Sequence, residues 1–266
     1  MRGHSDEPGG AGVWRGMDLA KQQFRQLLSD ARERLGLSPG AIDELTRGAQ
    51  IARWRAGQRI FDASDTTDLV NFLVAGAVKV SCPTGEGAVC VQMVRPGQFF
   101  GLNWHSEPGQ PRMFVATAFT DSVVAMVGSR HMARIMRALS PDAVLQLFAY
   151  SWRALSGLLY EKCCLLDLDL RERLLHELGI LARDFGATRA DGGVVLTLAL
   201  THADLGELAI ASRAKVASAM KLLEREGLVA RDGRHLVLPA RFFAGEHKHV
   251  DRLIRNGWGA LARRVA

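Results

Sequence analysis

Two short stretches near the end of the chain carry side chains suited to binding a polyanion. Residues 213–221 read Arg-Ala-Lys-Val-Ala-Ser-Ala-Met-Lys, so cations and small side chains share the outer face of a predicted helix. Small side chains let a helix approach base edges in the major groove of DNA, and a cation near its N-terminal end can reach a base. The candidate nucleic-acid contacts are Arg213, Lys215, Ala217, Ser218, Lys221, Arg231 and Arg234.

Two short helices are predicted to position the first stretch. Thr201 and Asp204 have the spacing of a capping box, which satisfies two amides at the start of a helix. The helical pattern breaks at 210–211, and Ser212 is a good N-cap for the helix that follows. The inner face of this second helix consists of Val216, Ala219, Met220 and Leu223. The pattern predicts a helix-turn-helix.

The second stretch predicts a β-hairpin. Arg231-Asp232-Gly233-Arg234 lies between the largely apolar runs 227–230 and 235–238, and an Asp-Gly pair in such a position is a hairpin signal. We expect both arginines at the tip of this hairpin. A hairpin of this kind is a wing that can contact DNA phosphates.

The distribution of charge agrees with an anionic partner. The chain has 34 Lys or Arg against 28 Asp or Glu, a net charge of +6, and residues 201–266 account for 12 of the cations and 7 of the acids. A polyanion is therefore expected to meet the C-terminal part of the chain.

Composition and length set the broad class. A chain of 266 residues with 48% hydrophobic and 23% charged residues is not disordered as a whole, and its length allows two domains. It has no apolar run of roughly 18 residues and no apolar signal core, so we expect a cytoplasmic protein without membrane contact. Four cysteines in a chain of this length predict reduced thiols rather than a disulfide scaffold.

The rest of the chain divides by its hydrophobic pattern. Residues 1–16 offer little apolar surface to bury, and residues 17–45 have helical spacing that is interrupted at Ser38-Pro39-Gly40. Short apolar runs punctuated by glycine follow from about residue 51 to 127, and the two that flank 83–87 predict a hairpin. Many short strands at this spacing predict a barrel, sandwich or roll.

A long helix is predicted from Pro141 to Leu166. One seam at helical spacing comprises Val144, Phe148, Ser151, Leu155, Leu158, Lys162 and Leu165. A second stripe beside it comprises Leu145, Trp152, Leu159 and Leu166. Two stripes allow one to face the helix's own domain and the other a partner helix, which favours a dimer. The alternative is a single wide core face in a monomer.

These residues and their order give the chain a resemblance to the Crp–Fnr superfamily of bacterial transcription regulators over about residues 45–240. A roll with Gly57, Gly76, Gly97 and Gly101 precedes the long helix, and "LTHADLGELAIASRAKVASAMKLLEREGLV" is similar to the family's winged helix-turn-helix. The resemblance implies a homodimer joined through the long helix, an effector site in the roll, and the second helix of the motif in the major groove. It also implies an inverted-repeat operator in double-stranded DNA, with RNA polymerase as a partner.

The expected fold class is α+β: an N-terminal β-roll (a double-stranded β-helix, or jelly-roll-like fold), a long dimerisation helix and a C-terminal winged helix-turn-helix. The expected parts are a disordered tail (1–16), a helical lead-in and β-roll sensor (17–139), the dimerisation helix (140–167), the DNA-binding domain (168–240) and a C-terminal helical extension (241–266). In the extension, Val250, Leu253, Ile254, Trp258 and Leu261 predict an amphipathic helix that packs on its own domain rather than on DNA.

The sequence departs from the family at the turn and on the second helix. Ile210 stands where the family usually has glycine, although a β-branched residue resists positive φ. Of the base-reading positions typical of cyclic-AMP-responsive members, Arg213 matches, while Ala214 replaces an acidic residue and Ser218 replaces an arginine. A different operator sequence follows, because alanine cannot accept a hydrogen bond from cytosine.

The candidate effector site differs from the family's pattern at more positions than the DNA-binding motif does. Where cyclic-AMP-binding relatives carry a glutamate, an Arg-Ser pair and helix hydroxyls, only Arg112 remains, and a bound nucleotide would leave polar groups unpaired. We therefore expect activity without cyclic AMP. The candidate lining residues for an apolar ligand, or for a packed core, are Leu102, Asn103, Trp104, Arg112, Met113, Leu158 and Leu159.

Other sensing chemistries and enzyme activity have less support. The cysteines are Cys82, Cys90, Cys163 and Cys164, none in the N-terminal cluster of the family's iron–sulfur sensors. Two alternatives remain. One is a regulator of the same fold gated by an effector, by redox chemistry of these cysteines, or by a haem held by His105 and cysteine; the other is a ligand-binding module without DNA activity. No nucleotide-binding loop, nucleophile elbow or metalloprotease helix is present, so we expect no enzyme activity, no cofactor and no metal. Asp167 and Asp169 are more typical of helix capping than of acid–base chemistry.

Overall fold

The structure of the protein, a computed structural model, describes residues 10–66, 68–85, 87–101 and 113–244. The helices are α1 (Gly10–Asp30), α2 (Arg32–Leu35), α3 (Pro39–Gly48), α4 (Ser129–Arg137), α5 (Pro141–Cys164), α6 (Leu170–Phe185), α7 (His202–Ala209), α8 (Arg213–Arg225) and α9 (Ala240–Ala244). The strands are β1 (Gln50–Trp54), β2 (Arg59–Phe61), β3 (Leu69–Ala75), β4 (Val78–Thr84), β5 (Gly87–Val94), β6 (Phe99–Phe100), β7 (Val115–Ala118), β8 (Ser122–Gly128), β9 (Gly186–Thr188), β10 (Val194–Leu196), β11 (Ala230–Asp232) and β12 (His235–Leu238).

The chain forms two compact units, the first from residues 1–83 and 92–153 and the second from residues 84–91 and 154–266. Two antiparallel sheets, with strand orders β1-β8-β3-β6 and β2-β7-β4-β5, form a roll. The predicted hairpin is formed by β4 and β5, and the predicted roll is confirmed.

Side chains along each strand point alternately to the two faces of the sheet, so the core of the first unit has two layers. On β3, Leu73 packs between the two sheets, together with Phe61 and Phe100. Its neighbours Phe72 and Val74 face the opposite way and pack under the helices. Because successive strand residues point to opposite faces, β3 is buried on both sides and is apolar along most of its length.

The helical lead-in covers one sheet of the roll. Phe24 of α1 is fully buried and lies against Phe72, with 5.0 Å between ring centroids. The predicted break is confirmed, because Ser38 caps α3 by accepting a hydrogen bond from the amide of Ala41. We expected a structureless tail through residue 16, but α1 begins at Gly10. Residues 1–9 lie outside the described part of the chain.

The long helix is confirmed as α5, which ends at Cys164, two residues before the predicted end. Its exposed apolar side chains follow spacings of three and four residues: Leu145, Phe148, Trp152, Leu155 and Leu159, between 51% and 66% exposed. We call these residues the outer stripe of α5. The predicted second stripe lies wholly on exposed surface, whereas the predicted seam divides, since Leu165 is buried and Phe148 and Leu155 are exposed.

The second unit contains a small sheet of order β11-β12-β10-β9 with helices around it. α6 begins at a capping box, in which Asp169 accepts from the amide of Glu172 at 2.8 Å and Glu172 accepts from the amide of Asp169. The predicted capping role is therefore confirmed for Asp169. The predicted strand 194–198 is shorter than expected, since β10 ends at Leu196.

The described chain ends in α9, where Phe242 is buried and Phe243 is half exposed. The amphipathic pattern predicted for residues 250–261 lies outside the described residues.

Candidate nucleic-acid interface

The first helix of the motif, α7, starts where its capping residues predict. The amide of Asp204 donates to the Thr201 hydroxyl at 3.1 Å, and the amide of Thr201 donates to the Asp204 carboxylate at 3.0 Å. This reciprocal cap satisfies two amides that the helix leaves without partners.

The turn between α7 and α8 is tight despite the absence of glycine at its left-handed position. Ile210 adopts φ 52° and ψ 58°, and the Ala211 amide donates to the Gly206 carbonyl at 2.9 Å. Glycine is required one turn earlier instead, because a Cβ on Gly206 would lie 2.6 Å from the Ala211 carbonyl oxygen. A tight turn is thus formed around Ile210, at a conformational cost of about 1–2 kcal/mol.

The second helix, α8, has the two faces that the sequence predicts. Ser212 caps it by accepting from the Lys215 amide at 3.4 Å. Val216, Met220 and Leu223 are buried on its inner face. The predicted contact residues lie on the outer face, where Arg213, Lys215, Ser218 and Lys221 are exposed and Ala217 is half-buried.

The cations of α8 are available to an anionic partner. Within the described residues, no carboxylate pairs with Arg213, Lys215 or Lys221. Ser218 is less available, because its hydroxyl donates to the Ala214 carbonyl at 3.3 Å.

The wing forms, but one of its arginines is not where we expected it. Asp232 pairs with His235, which leaves Gly233 and Arg234 as a two-residue loop, and Gly233 takes a positive φ of 58°. Arg234 is therefore at the tip. Arg231 lies in β11 opposite Leu236, so its placement at the tip was wrong.

The guanidinium of Arg231 joins three elements. Its Nε donates to Glu224 Oε1 of α8 at 2.9 Å, and its Nη2 lies 3.2 Å from His202 Nε2 at the start of α7. A surface pocket of about 350 Å³ lies at this point, lined by His202, Ala217, Met220, Lys221, Glu224 and Arg231.

A buried ionic cluster in the same unit was not predicted. Lys162 Nζ of α5 lies 3.1 Å from Glu177 Oε1 of α6 and 3.3 Å from Glu161 Oε1. Glu177 is 2% exposed, and burial raises its pKa to about 7, more than the neighbouring Lys162 ammonium lowers it. Burial raises the pKa of Glu161 as well. The lone lysine in the predicted apolar seam was the only available signal, because its partner is 15 residues away.

Three of the candidate effector residues lie in the described part of the chain. Met113 is 70% exposed, Leu159 is 57% exposed on the outer stripe of α5, and Leu158 is half-buried. The assignment of these residues to an effector site stays a prediction. The remaining four, Leu102, Asn103, Trp104 and Arg112, lie outside the described residues.

Sequence reasoning also missed Asn71, which lies on β3 and is 2% exposed. In the described part of the chain its Nδ2 has no hydrogen-bond partner. The alternation along β3 places it with Leu73 between the two sheets.

The cysteines and histidines form no metal-binding group within the described ranges. Cys82 is half-buried, Cys90 is buried and Cys163 is exposed. No group of three or more His, Cys, Asp or Glu side chains there could hold a metal ion. His105 lies outside the described residues.

Comparisons with known proteins agree with this architecture. Residues 51–138 match the cyclic nucleotide-binding domain family, and residues 172–241 match the Crp-like helix-turn-helix domain family. The chain is 30% identical over 183 residues to the global nitrogen regulator of Synechococcus elongatus, covering 68% of this chain and 82% of that protein. It is 27% identical over 204 residues to the CRP-like cAMP-activated global transcriptional regulator of Mycobacterium tuberculosis, covering 76% of this chain and 90% of that protein.

Solved structures share the fold. The c-di-GMP-responsive global regulator CLP of Xanthomonas campestris matches with a TM-score of 0.65 at 19% identity, covering 76% of this chain and 99% of that structure. FixK2 of Bradyrhizobium japonicum matches with a TM-score of 0.62 at 20% identity, covering 77% of this chain and 96% of that structure.

A β-roll, a long helix and a winged helix-turn-helix define a class of DNA-binding transcription regulators. Within that class, the chain belongs to the Crp–Fnr superfamily. Over the residues that the structure describes, no helix combines the length and apolarity needed to span a bilayer.

Proposed function

We propose that this chain acts as a homodimer that binds an inverted-repeat operator and needs no cyclic AMP to do so. The observation that carries the proposal is the outer face of α8, where Arg213, Lys215 and Lys221 are exposed. Within the described residues no carboxylate neutralises them, and Ala217 lets the helix approach DNA closely.

Each cation has a role that follows from its place. Arg213 is the first residue of α8 and reads a guanine, because the N-terminal residues of such a helix reach the base edges. Lys215 and Lys221 neutralise phosphates beside the groove, and Arg234 at the tip of the wing contacts a further phosphate.

The outer stripe of α5 supports the homodimer. Five large apolar side chains at spacings of three and four residues form a seam that a second copy of the same helix fits. The parts that we propose are the sensor (17–139), the dimerisation helix (140–167) and the DNA-binding domain (168–240), acting in the cytoplasm with RNA polymerase as a partner.

Independence from cyclic AMP is supported by sequence rather than by the relatives. One relative is called cAMP-activated and another structure c-di-GMP-responsive, so relatives differ in what they bind. Of the family's cyclic-AMP-binding side chains, only Arg112 is present here. Calorimetry should therefore show no tight binding of cyclic AMP, and tight binding would overturn this part.

The test is selection of genomic fragments by the purified, reduced, ligand-free protein at about 0.15 M salt, which suppresses nonspecific phosphate binding. Recovery of a palindrome is the expected result. No enrichment would contradict ligand-free operator binding.

Arg213→Ala tests the base-reading role on the recovered operator. We expect a loss of about 1–3 kcal/mol, with preference relaxed at one symmetric position. The matched control is Arg225→Ala, which removes the same charge from the far end of α8. Equal weakening on every sequence would make Arg213 a phosphate contact instead.

A further inference from the structure

The contacts of Arg231 set it apart from the other cations of the interface. Its guanidinium donates to Glu224 at 2.9 Å, so this pair carries no net charge. A neutral pair displaces no counterion from DNA, because release requires a net cation at the phosphate.

The second contact of Arg231 determines the tautomer of His202. Arginine has only donors, so the 3.2 Å contact from Nη2 requires His202 Nε2 to accept. The ring proton is then on Nδ1, which leaves a single donor on His202.

The remaining charge of the pocket is that of Lys221. With Arg231 paired to Glu224 and His202 neutral, the lining carries one net positive charge, on an ammonium that no described carboxylate neutralises. One positive charge and one N–H donor match one phosphodiester, which carries a single negative charge.

We propose that Arg231 is a positioning residue: it holds β11 on α8 and fixes His202 as the Nδ1–H tautomer, while Lys221 and His202 bind a DNA backbone phosphate at this pocket. This inference rests on the proposed function and deepens it. It reassigns Arg231, which its sequence position alone marks as a phosphate contact.

The test compares the salt dependence of DNA affinity among variants. Arg231→Met with Glu224→Gln removes the pair without changing net charge, so we expect the slope of log K against log salt to equal that of the unmodified protein. Affinity should fall about two- to fivefold, the range for an exposed ion pair. Lys221→Gln should lower the slope by about 0.9.

A spectroscopic measurement separates positioning from general loss of structure. Nitrogen-15 NMR of the histidines should show His202 as the Nδ1–H tautomer in the full chain and a mixture in the Arg231→Met/Glu224→Gln variant. If that variant does not fold, Arg231→Lys takes its place, because lysine carries its donors on a single nitrogen, which can pair with Glu224 but leaves no second nitrogen to reach His202.

A slope that falls by about 0.9 in the double variant, or an Nε2–H tautomer in the unmodified protein, would overturn the inference. Failure of the proposed function looks different, since the unmodified protein would then select no palindrome. The slopes can still be compared on nonspecific DNA in that case.

Discussion

The compact turn of the DNA-binding motif places Ile210 in a strained backbone conformation. Its left-handed conformation is one that β-branched side chains rarely adopt, and the residue is 41% exposed. The Arg173 guanidinium reaches its carbonyl at 3.5 Å.

Replacing Ile210 by glycine should therefore stabilise the protein. We expect the free energy of unfolding to rise by about 0.5–1 kcal/mol, after the greater chain entropy of glycine is subtracted from the strain released. Urea denaturation measures this, with Ile210→Val as the control that keeps the β-branch. A lower midpoint for Ile210→Gly than for the unmodified protein would show that the turn is not strained.

The raised pKa of Glu177 makes the stability of the second unit depend on pH. Its folded pKa of about 7 lies above the ordinary value of 4.5, so its contribution to stability is full below about pH 4.5 and is lost as pH rises through 7. Glutamine cannot ionise and escapes this loss.

The melting temperature of Glu177→Gln, relative to that of the unmodified protein, should therefore rise between pH 5 and pH 8. The control is Glu33→Gln, an exposed glutamate whose difference should stay flat over this range. A flat difference for Glu177→Gln would mean that the Glu177 carboxylate is already ionised at pH 5.

The roles of residues that depend on local interactions could be predicted from the sequence. Roles that depend on contacts between residues far apart in the chain could not. Thr201 and Ser212 cap their helices as predicted, because a cap depends on residues three positions apart. The Lys162–Glu177 pair depends on how α5 meets α6, which no local pattern encodes. Arg231 was misplaced because the hairpin closes on two loop residues rather than four.

At the scale of elements, the outer stripe of α5 is an exposed apolar feature that sequence periodicity anticipated. The pattern predicted two stripes but not which residues of the seam would be buried, because that depends on what packs against each end of the helix. Phe148 and Trp152 stack on each other with ring centroids 6.4 Å apart.

Trp152→Glu should separate the protomers. A carboxylate in this seam would be buried without a partner at roughly 3 kcal/mol, so we expect the dimer dissociation constant to rise at least about a hundredfold. Analytical ultracentrifugation measures it. The control is Arg153→Glu, which adds a carboxylate to the neighbouring exposed position off the stripe. Equal dissociation of both variants would show that the effect is one of charge and not of the seam.

At the scale of the whole molecule, the proposed dimer and the helix-turn-helix together determine the form of the operator. Two α8 helices related by a two-fold axis meet two half-sites about one helical turn, or 34–36 Å, apart. Both families of domain that match the chain, and the order of its elements, were predictable from sequence. The operator sequence was not, since Ala214 and Ser218 differ from the family's base-reading residues.

Five base pairs inserted between the half-sites should place them on opposite faces of the DNA. We expect affinity to fall by about 10²–10⁴-fold, to that of a single half-site, because the second half-site no longer adds to binding. The control fragment carries the same five base pairs outside the half-sites. Fluorescence anisotropy measures both, and equal affinity for the two fragments would contradict a rigid two-fold dimer.

Cys163 is exposed, four residues after Leu159 along the same helix. In a parallel dimer joined through the outer stripe, each copy of this thiol would lie near its counterpart across the two-fold axis. Protein stored in air without reductant should then accumulate a covalent dimer, visible as a second band on a non-reducing gel and absent in Cys163→Ser. The chain would thus carry its own label for the assembled state, readable without any added probe.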